Sequence, residues 1–141
     1  MPAIRKMISE LDEYQASLYP PESNHLEPVE KLVSPGYYFI AAWQRQTPLG
    51  IASFRRTAGI YVEIKRLYVP PRHRGRGLAM ALMKTLERKA VQEKYVEARL
   101  ETGIYQKEAL EVYRHLGYEK TGPFGAYRED PLSVFMRKKL L

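Results

Sequence analysis

Apolar residues recur at helical spacing at Ile4, Met7, Ile8, Leu11, Tyr14 and Leu18, until Pro20-Pro21 halts the pattern. The spacing predicts an amphipathic first helix over Ile4 to Leu18. Ser23-Asn24 offers an N-cap for a short second helix over Glu22 to Leu32, ending near Ser34-Pro35-Gly36. The periodicity then shortens. Tyr37 to Trp43 and Leu49 to Arg55 read as two strands of an antiparallel hairpin, joined by a loop of several residues over Gln44 to Pro48. Tyr61 to Val69 reads as a third strand, and Pro70-Pro71 ends it because proline offers no ladder donor.

Past a glycine loop, Leu78, Leu82 and Leu86 form one stripe beside Ala79, Met83 and Ala90, which predicts a long helix. Val96, Ala98, Leu100 and Thr102 alternate with Glu97, Arg99 and Glu101, the pattern of a strand with one covered face. A further helix runs from about Gln106 to Leu116, with Arg114 and His115 in its last turn and Gly117 placed for a left-handed residue after it. Tyr118 to Thr121 and Val134 to Leu140 close the chain as strands, separated by the Gly122-Pro123-Phe124-Gly125 turn and the Asp130-Pro131 corner. The order α, α, β, β, β, α, β, α, β, β predicts an α/β fold with a mixed sheet and helices on both faces.

With 141 residues, the chain is the size of one domain, 1–141, burying roughly two thirds of its unfolded surface. The absence of cysteine excludes a disulfide framework, a thiolate metal site and a cysteine nucleophile, and no metal is expected. The first residues carry no signal-peptide pattern and no span for a membrane, so the expected compartment is the cytoplasm. A formal charge of +7 suits an anionic partner. Arg72, Arg74 and Arg76 crowd around two glycines while the other basic residues are scattered. That distribution favours a local phosphate pocket over a nucleic-acid face, and no nucleic-acid partner is expected.

The loop is the most informative stretch. A strand, then Arg72-x-x-Gly75-x-Gly77, then a helix lets the backbone bend close to a pyrophosphate and aims the free N–H groups of the first helical turn at it. A P-loop would need a lysine and hydroxyl pair after Gly77, and a dinucleotide fingerprint would need a third small residue where Met80 sits.

This loop, together with the strand Glu63-Ile64-Lys65-Arg66-Leu67-Tyr68-Val69 and the later Ala109-Leu110-Glu111-Val112-Tyr113-Arg114-His115-Leu116-Gly117-Tyr118, resembles the GNAT superfamily of N-acetyltransferases over Tyr37 to Leu140. The family motif Gln/Arg-x-x-Gly-x-Gly/Ala is matched by Arg72, Gly75 and Gly77. The resemblance implies a mostly antiparallel mixed sheet and acetyl-CoA as co-substrate. It implies backbone contacts from Leu67, Tyr68 and Val69 to the pantetheine arm. Amides of Arg74, Gly75, Arg76, Gly77, Leu78 and Ala79 would hold the pyrophosphate. An asparagine that the family often carries after the strand ending at Thr102 is missing here, and Gln106 is the nearest substitute.

By the same resemblance, Tyr113 is the proton donor to the coenzyme sulfur and Glu63 the general base, direct or through water. A core aromatic role for Tyr113 and a structural ion pair for Glu63 are the alternatives. The segments around Tyr19 to His25 and Gly122 to Ser133 are rich in mixed polar and aromatic residues, which makes Glu22, Asn24, His25 and Tyr127 candidate contacts to a small-molecule amine acceptor. A protein N-acetyltransferase and a non-catalytic acyl-CoA sensor are the competing readings. The family usually has a strand before its first helix, and the lack of one here leaves either an edge open to homodimerisation or a shortened sheet.

Overall fold

The computed structural model describes residues 2–20 and 34–140. The short helix expected over Glu22 to Leu32 lies outside them. Helix α1 (Pro2–Leu18) buries Met7, Ile8 and Leu11, the stripe expected from their spacing. Strands β1 (Tyr37–Gln44) and β2 (Thr47–Arg56) are joined by Arg45 and Gln46 alone, a tighter hairpin than the loop of several residues expected over Gln44 to Pro48. Arg45 takes a positive φ of 57°, as a two-residue hairpin turn requires, and pairing runs on through Trp43↔Pro48 past a register shift after Ala42.

Strand β3 (Tyr61–Tyr68) is followed by a 3₁₀ turn (Pro71–His73), the glycine loop and helix α2 (Leu78–Gln92). Then come β4 (Glu97–Gly103), α3 (Lys107–His115), β5 (Glu119–Thr121) and β6 (Ser133–Lys139). The six strands lie in the order β1-β2-β3-β4-β6-β5, with β3 and β4 parallel and every other neighbouring pair antiparallel. Alternation sends Ala52, Phe54, Val62, Ile64, Ala98 and Leu100 to one face, where they pack with Leu82, Met83 and Leu86 of α2 and Leu110 and Tyr113 of α3. Ile51 and Tyr68 turn to the other face and meet Met7, Ile8 and Leu11 of α1. Helices therefore cover both faces.

β4 departs from the one covered face expected of it. Glu97 is buried and receives the Arg99 guanidinium at 2.7 Å, and that guanidinium stacks on Tyr61 of β3 and on Phe124 of the turn between β5 and β6, while Val96, just before the strand, is exposed. Among the described residues, no helix is long and apolar enough to cross a membrane.

Candidate active site

β3 and β4 share register only from Tyr61↔Glu97 to Ile64↔Leu100, although β3 continues to Tyr68 and β4 to Gly103. A bulge accompanies the parting. Ser53 pairs with Lys65 and Ile51 with Tyr68, so Arg66 and Leu67 together stand opposite Ala52. Arg66 adopts a left-handed φ of 52°, and its buried guanidinium is held by Asp12 of α1. A bulge bends and twists its strand, which turns the end of β3 away from β4 and opens a wedge.

One side of the wedge is a cleft of about 480 Å³. Of the residues expected to hold the coenzyme, Leu67, Tyr68, Val69, Arg74, Gly75, Gly77, Leu78, Ala79 and Gln106 all line it. The side chains of Arg72 and Arg76 do not. Arg72 instead reaches α1, where its Nη2 lies 2.9 Å from Glu10 Oε1, and that guanidinium holds the Glu10 carboxyl below its usual range. Arg76 is exposed outside the cleft. A shared loop does not give the side chains of Arg72, Arg74 and Arg76 a shared direction.

The loop backbone can cradle an anion. Gly75 and Gly77 have φ of 82° and 72°, and a side chain at either would meet nothing within 4 Å, so the left-handed backbone rather than crowding demands glycine. The first amide to bond within the protein is that of Ala81, to the Gly77 carbonyl at 3.1 Å. The N–H groups of Gly75 through Met80 find no acceptor among the described residues, and they sit at the positive end of α2. Arg74 is the exception to the expected set: its amide closes the 3₁₀ turn by donating to the Pro71 carbonyl, so the cradle begins one residue later. Its side chain spans the cleft, with Nε donating to the Val69 carbonyl at 2.9 Å and Nη1 lying 2.5 Å from Glu108 Oε2 on α3.

On the other side of the wedge lies a smaller cavity of about 60 Å³, which shares Leu67 and Gln106 with the cleft. Tyr113, Glu101, Lys65, Tyr19 and Tyr127 line it. Tyr113 is fixed by the end of α3, where Gly117 (φ 97°) lets the Tyr118 amide bond the Tyr113 carbonyl and its own amide bond that of Arg114. Burial, with a smaller contribution from the charge of Glu101, pushes the Tyr113 phenol well above its usual pKa. The hydroxyl has no hydrogen bond among the described residues. Gln106 uses Oε1 to accept from the Gly103 amide and the Thr102 hydroxyl, at 3.0 and 3.1 Å, which shapes the turn between β4 and α3.

Glu63 disagrees with the expectation of a direct general base. Its carboxylate is 2% exposed and lines neither cavity. Oε1 accepts from Arg55 at 2.9 Å, and Oε2 accepts from the Tyr127 hydroxyl at 2.5 Å and lies 3.3 Å from Lys65 Nζ. Cross-strand pairing puts Arg55 directly opposite, which makes Glu63 an internal counter-ion that fixes Lys65 and Tyr127 in the cavity wall. The carboxylate that does face the cavity is Glu101, which accepts from Ser133 at 2.9 Å. Sequence alternation marks Glu101 as an outward residue of β4, and only the parting of the strands turns that face into a cavity. Tyr127 lines the cavity, whereas Glu22, Asn24 and His25 lie outside the described residues.

Residues 4–118 match the Acetyltransferase (GNAT) family. The chain belongs to that family. This GNAT chain is 40% identical over 139 residues, 98% of its length, to an IAA acetyltransferase from Azospirillum brasilense, of which it covers 91%. It is 33% identical to a Klebsiella pneumoniae protein assigned as an acyl-CoA N-acyltransferase, with a TM-score of 0.80 over 96% of this chain and 88% of that one. An aminoglycoside 6'-N-acetyltransferase complexed with coenzyme A shares the fold at 20% identity and a TM-score of 0.75, covering 100% of this chain and 93% of that one. As a GNAT protein the chain is an acyltransferase.

Proposed function

We propose that this chain transfers the acetyl group of acetyl-CoA to a primary amine of a small molecule. The observation that carries the reading is the pair of cavities meeting at Leu67 and Gln106, one ending on the open amides of Gly75 to Met80 and the other on Glu101 and Tyr113. Acetyl-CoA, when bound, supplies an acetyl thioester. The loop amides and the N-terminus of α2 suit its diphosphate, and the β4-facing edge of β3 suits an extended pantetheine chain as an added strand would. The Azospirillum relative is named as an IAA acetyltransferase, and the coenzyme A complex has the same fold.

Transfer forms a nitrogen–carbon bond and breaks a carbon–sulfur bond, so the acceptor nitrogen must shed protons and the departing sulfur must gain one. Glu101 takes the proton of the incoming ammonium. Tyr113, held neutral by burial, gives its proton to the departing sulfur and regains one as the nitrogen sheds its second, while Glu101 releases the first to solvent. Glu63 acts at one remove, positioning Lys65 and Tyr127.

Calorimetry with acetyl-CoA, followed by thiol release over a panel of primary amines, tests the reading. Expected are coenzyme binding and amine-dependent thiol release, with kcat lowered roughly a hundredfold to ten-thousandfold by Tyr113→Phe or Glu101→Gln. Coenzyme binding without thiol release from any amine would show that the chain does not catalyse this transfer.

A further inference from the structure

Tyr19, one residue past the end of α1, is 5% exposed and continues the helical path through a 3.0 Å bond from its amide to the Gln15 carbonyl. Leu11, Gln15 and Tyr19, spaced four apart, present one stripe of α1 to the small cavity. The phenol of Tyr19 then reaches across the wedge to the end of β4. Its oxygen accepts from the Tyr105 amide at 3.0 Å, and its ring packs against that of Tyr105 at 5.7 Å. It lies directly on the backbone of Gly103, where an added Cβ would overlap the phenol oxygen and Cζ. Gly103 thus has no side chain because Tyr19 occupies the space one would fill.

We propose that Tyr19, seated on the bare backbone of Gly103, sets the width of the acceptor cavity and restricts it to slender primary amines unbranched next to nitrogen. The inference rests on the transferase reading above and names the acceptor class for the same site. The size fits this class: the cavity measures about 60 Å³ against about 480 Å³ for the coenzyme cleft, a narrow space that suits an aminomethyl head better than a branched or aryl-substituted one. Glu101, on the strand that Tyr19 covers, gives the ammonium its counter-charge. Thr102, beside it on β4, adds a hydroxyl to the wall. The phenol oxygen already bonded to the Tyr105 amide keeps the ring from swinging aside without loss of that bond.

The experiment compares kcat/KM for an unbranched alkylamine and its α-branched isomer in wild type, Tyr19→Ala and Gly103→Ala, with the acetyl-CoA Kd measured alongside. Wild type should favour the unbranched amine at least tenfold, and Tyr19→Ala should erase most of that ratio while leaving the coenzyme Kd within about twofold. Gly103→Ala, if it folds, should shift the ratio the same way by evicting the phenol. Equal use of both amines by wild type, or an unchanged ratio in a Tyr19→Ala protein that still binds acetyl-CoA, would overturn the proposal. Hydrogen exchange gives a readout independent of turnover: Tyr19→Phe should speed exchange of the Tyr105 amide roughly fivefold. Unchanged exchange there would refute the seat itself, whereas faster exchange in a chain that acetylates no amine would uphold the seat and refute the transferase reading.

Discussion

Ile64 of β3 stands opposite Leu100 of β4 on the last rung that the two strands share. Both side chains are buried in the same core cluster, so this rung is the hinge of the wedge, and both cavities lie beyond it. Glu101, Tyr113 and the open loop amides reach the same region from different elements because the strands part here.

The cradle depends on backbone handedness at two positions. Placing a Cβ on a left-handed residue costs roughly 1–2 kcal/mol, and the loop can relieve that cost by turning its amides away. Gly75→Ala and Gly77→Ala should each raise the acetyl-CoA Kd about tenfold by calorimetry, with little change in Tm, because the side chain itself meets no neighbour.

Two carboxylates separate structure from chemistry. Glu63→Gln removes a counter-ion shared by Arg55, Lys65 and Tyr127, and should cost about 2–3 kcal/mol in urea unfolding, less than a fully buried pair because the Arg55 side chain is 35% exposed. Glu101→Gln should leave stability nearly unchanged and lower kcat. The reverse pattern would return the base role to Glu63.

Tyr113, the proposed acid, also bears on alkaline stability. A buried neutral phenol with a raised folded-state pKa contributes stability that is fully present below the unfolded value of 10.0 and is lost as pH climbs toward the folded one. Denaturant midpoints should therefore fall above pH 10, less steeply in Tyr113→Phe. The kcat profile should show no loss of the acid form of Tyr113 through the neutral range.

At the acid end, Glu10 has a lowered pKa, chiefly through its hydrogen bond with Arg72. Its contribution is present above 4.5 and disappears as pH falls through the depressed value. The pair is exposed, so Glu10→Gln should cost less than about 1 kcal/mol at neutral pH, and the difference from wild type should vanish in acid.

What the sequence disclosed followed from local rules. Helical spacing located α1, α2 and α3, and Gly117 marked the cap that holds Tyr113. The glycine spacing marked the loop, and Leu67, Tyr68 and Val69, expected along the coenzyme, all line the cleft. What it concealed was non-local. Alternation cannot reveal a bulge at Arg66, so it could not tell that β3 and β4 part after Ile64 or that Glu101 faces a cavity. Charge counting could not show that Arg72 turns to Glu10 on α1, which is distant along the chain. The residues by themselves leave Glu63 open between a base and a structural ion pair, because its cross-strand partner Arg55 becomes adjacent only once the hairpin register is set.

The account turns on the backbone amides of Gly75 to Met80 receiving the diphosphate of acetyl-CoA, and an amide-resolved NMR titration with that coenzyme measures this directly. The account predicts saturable shifts at Gly75, Gly77 and Leu78, together with Leu67 and Val69, and none of comparable size at Arg72 or Trp43. Shifts confined to exposed basic residues, with the loop amides unmoved at saturating acetyl-CoA, would contradict it.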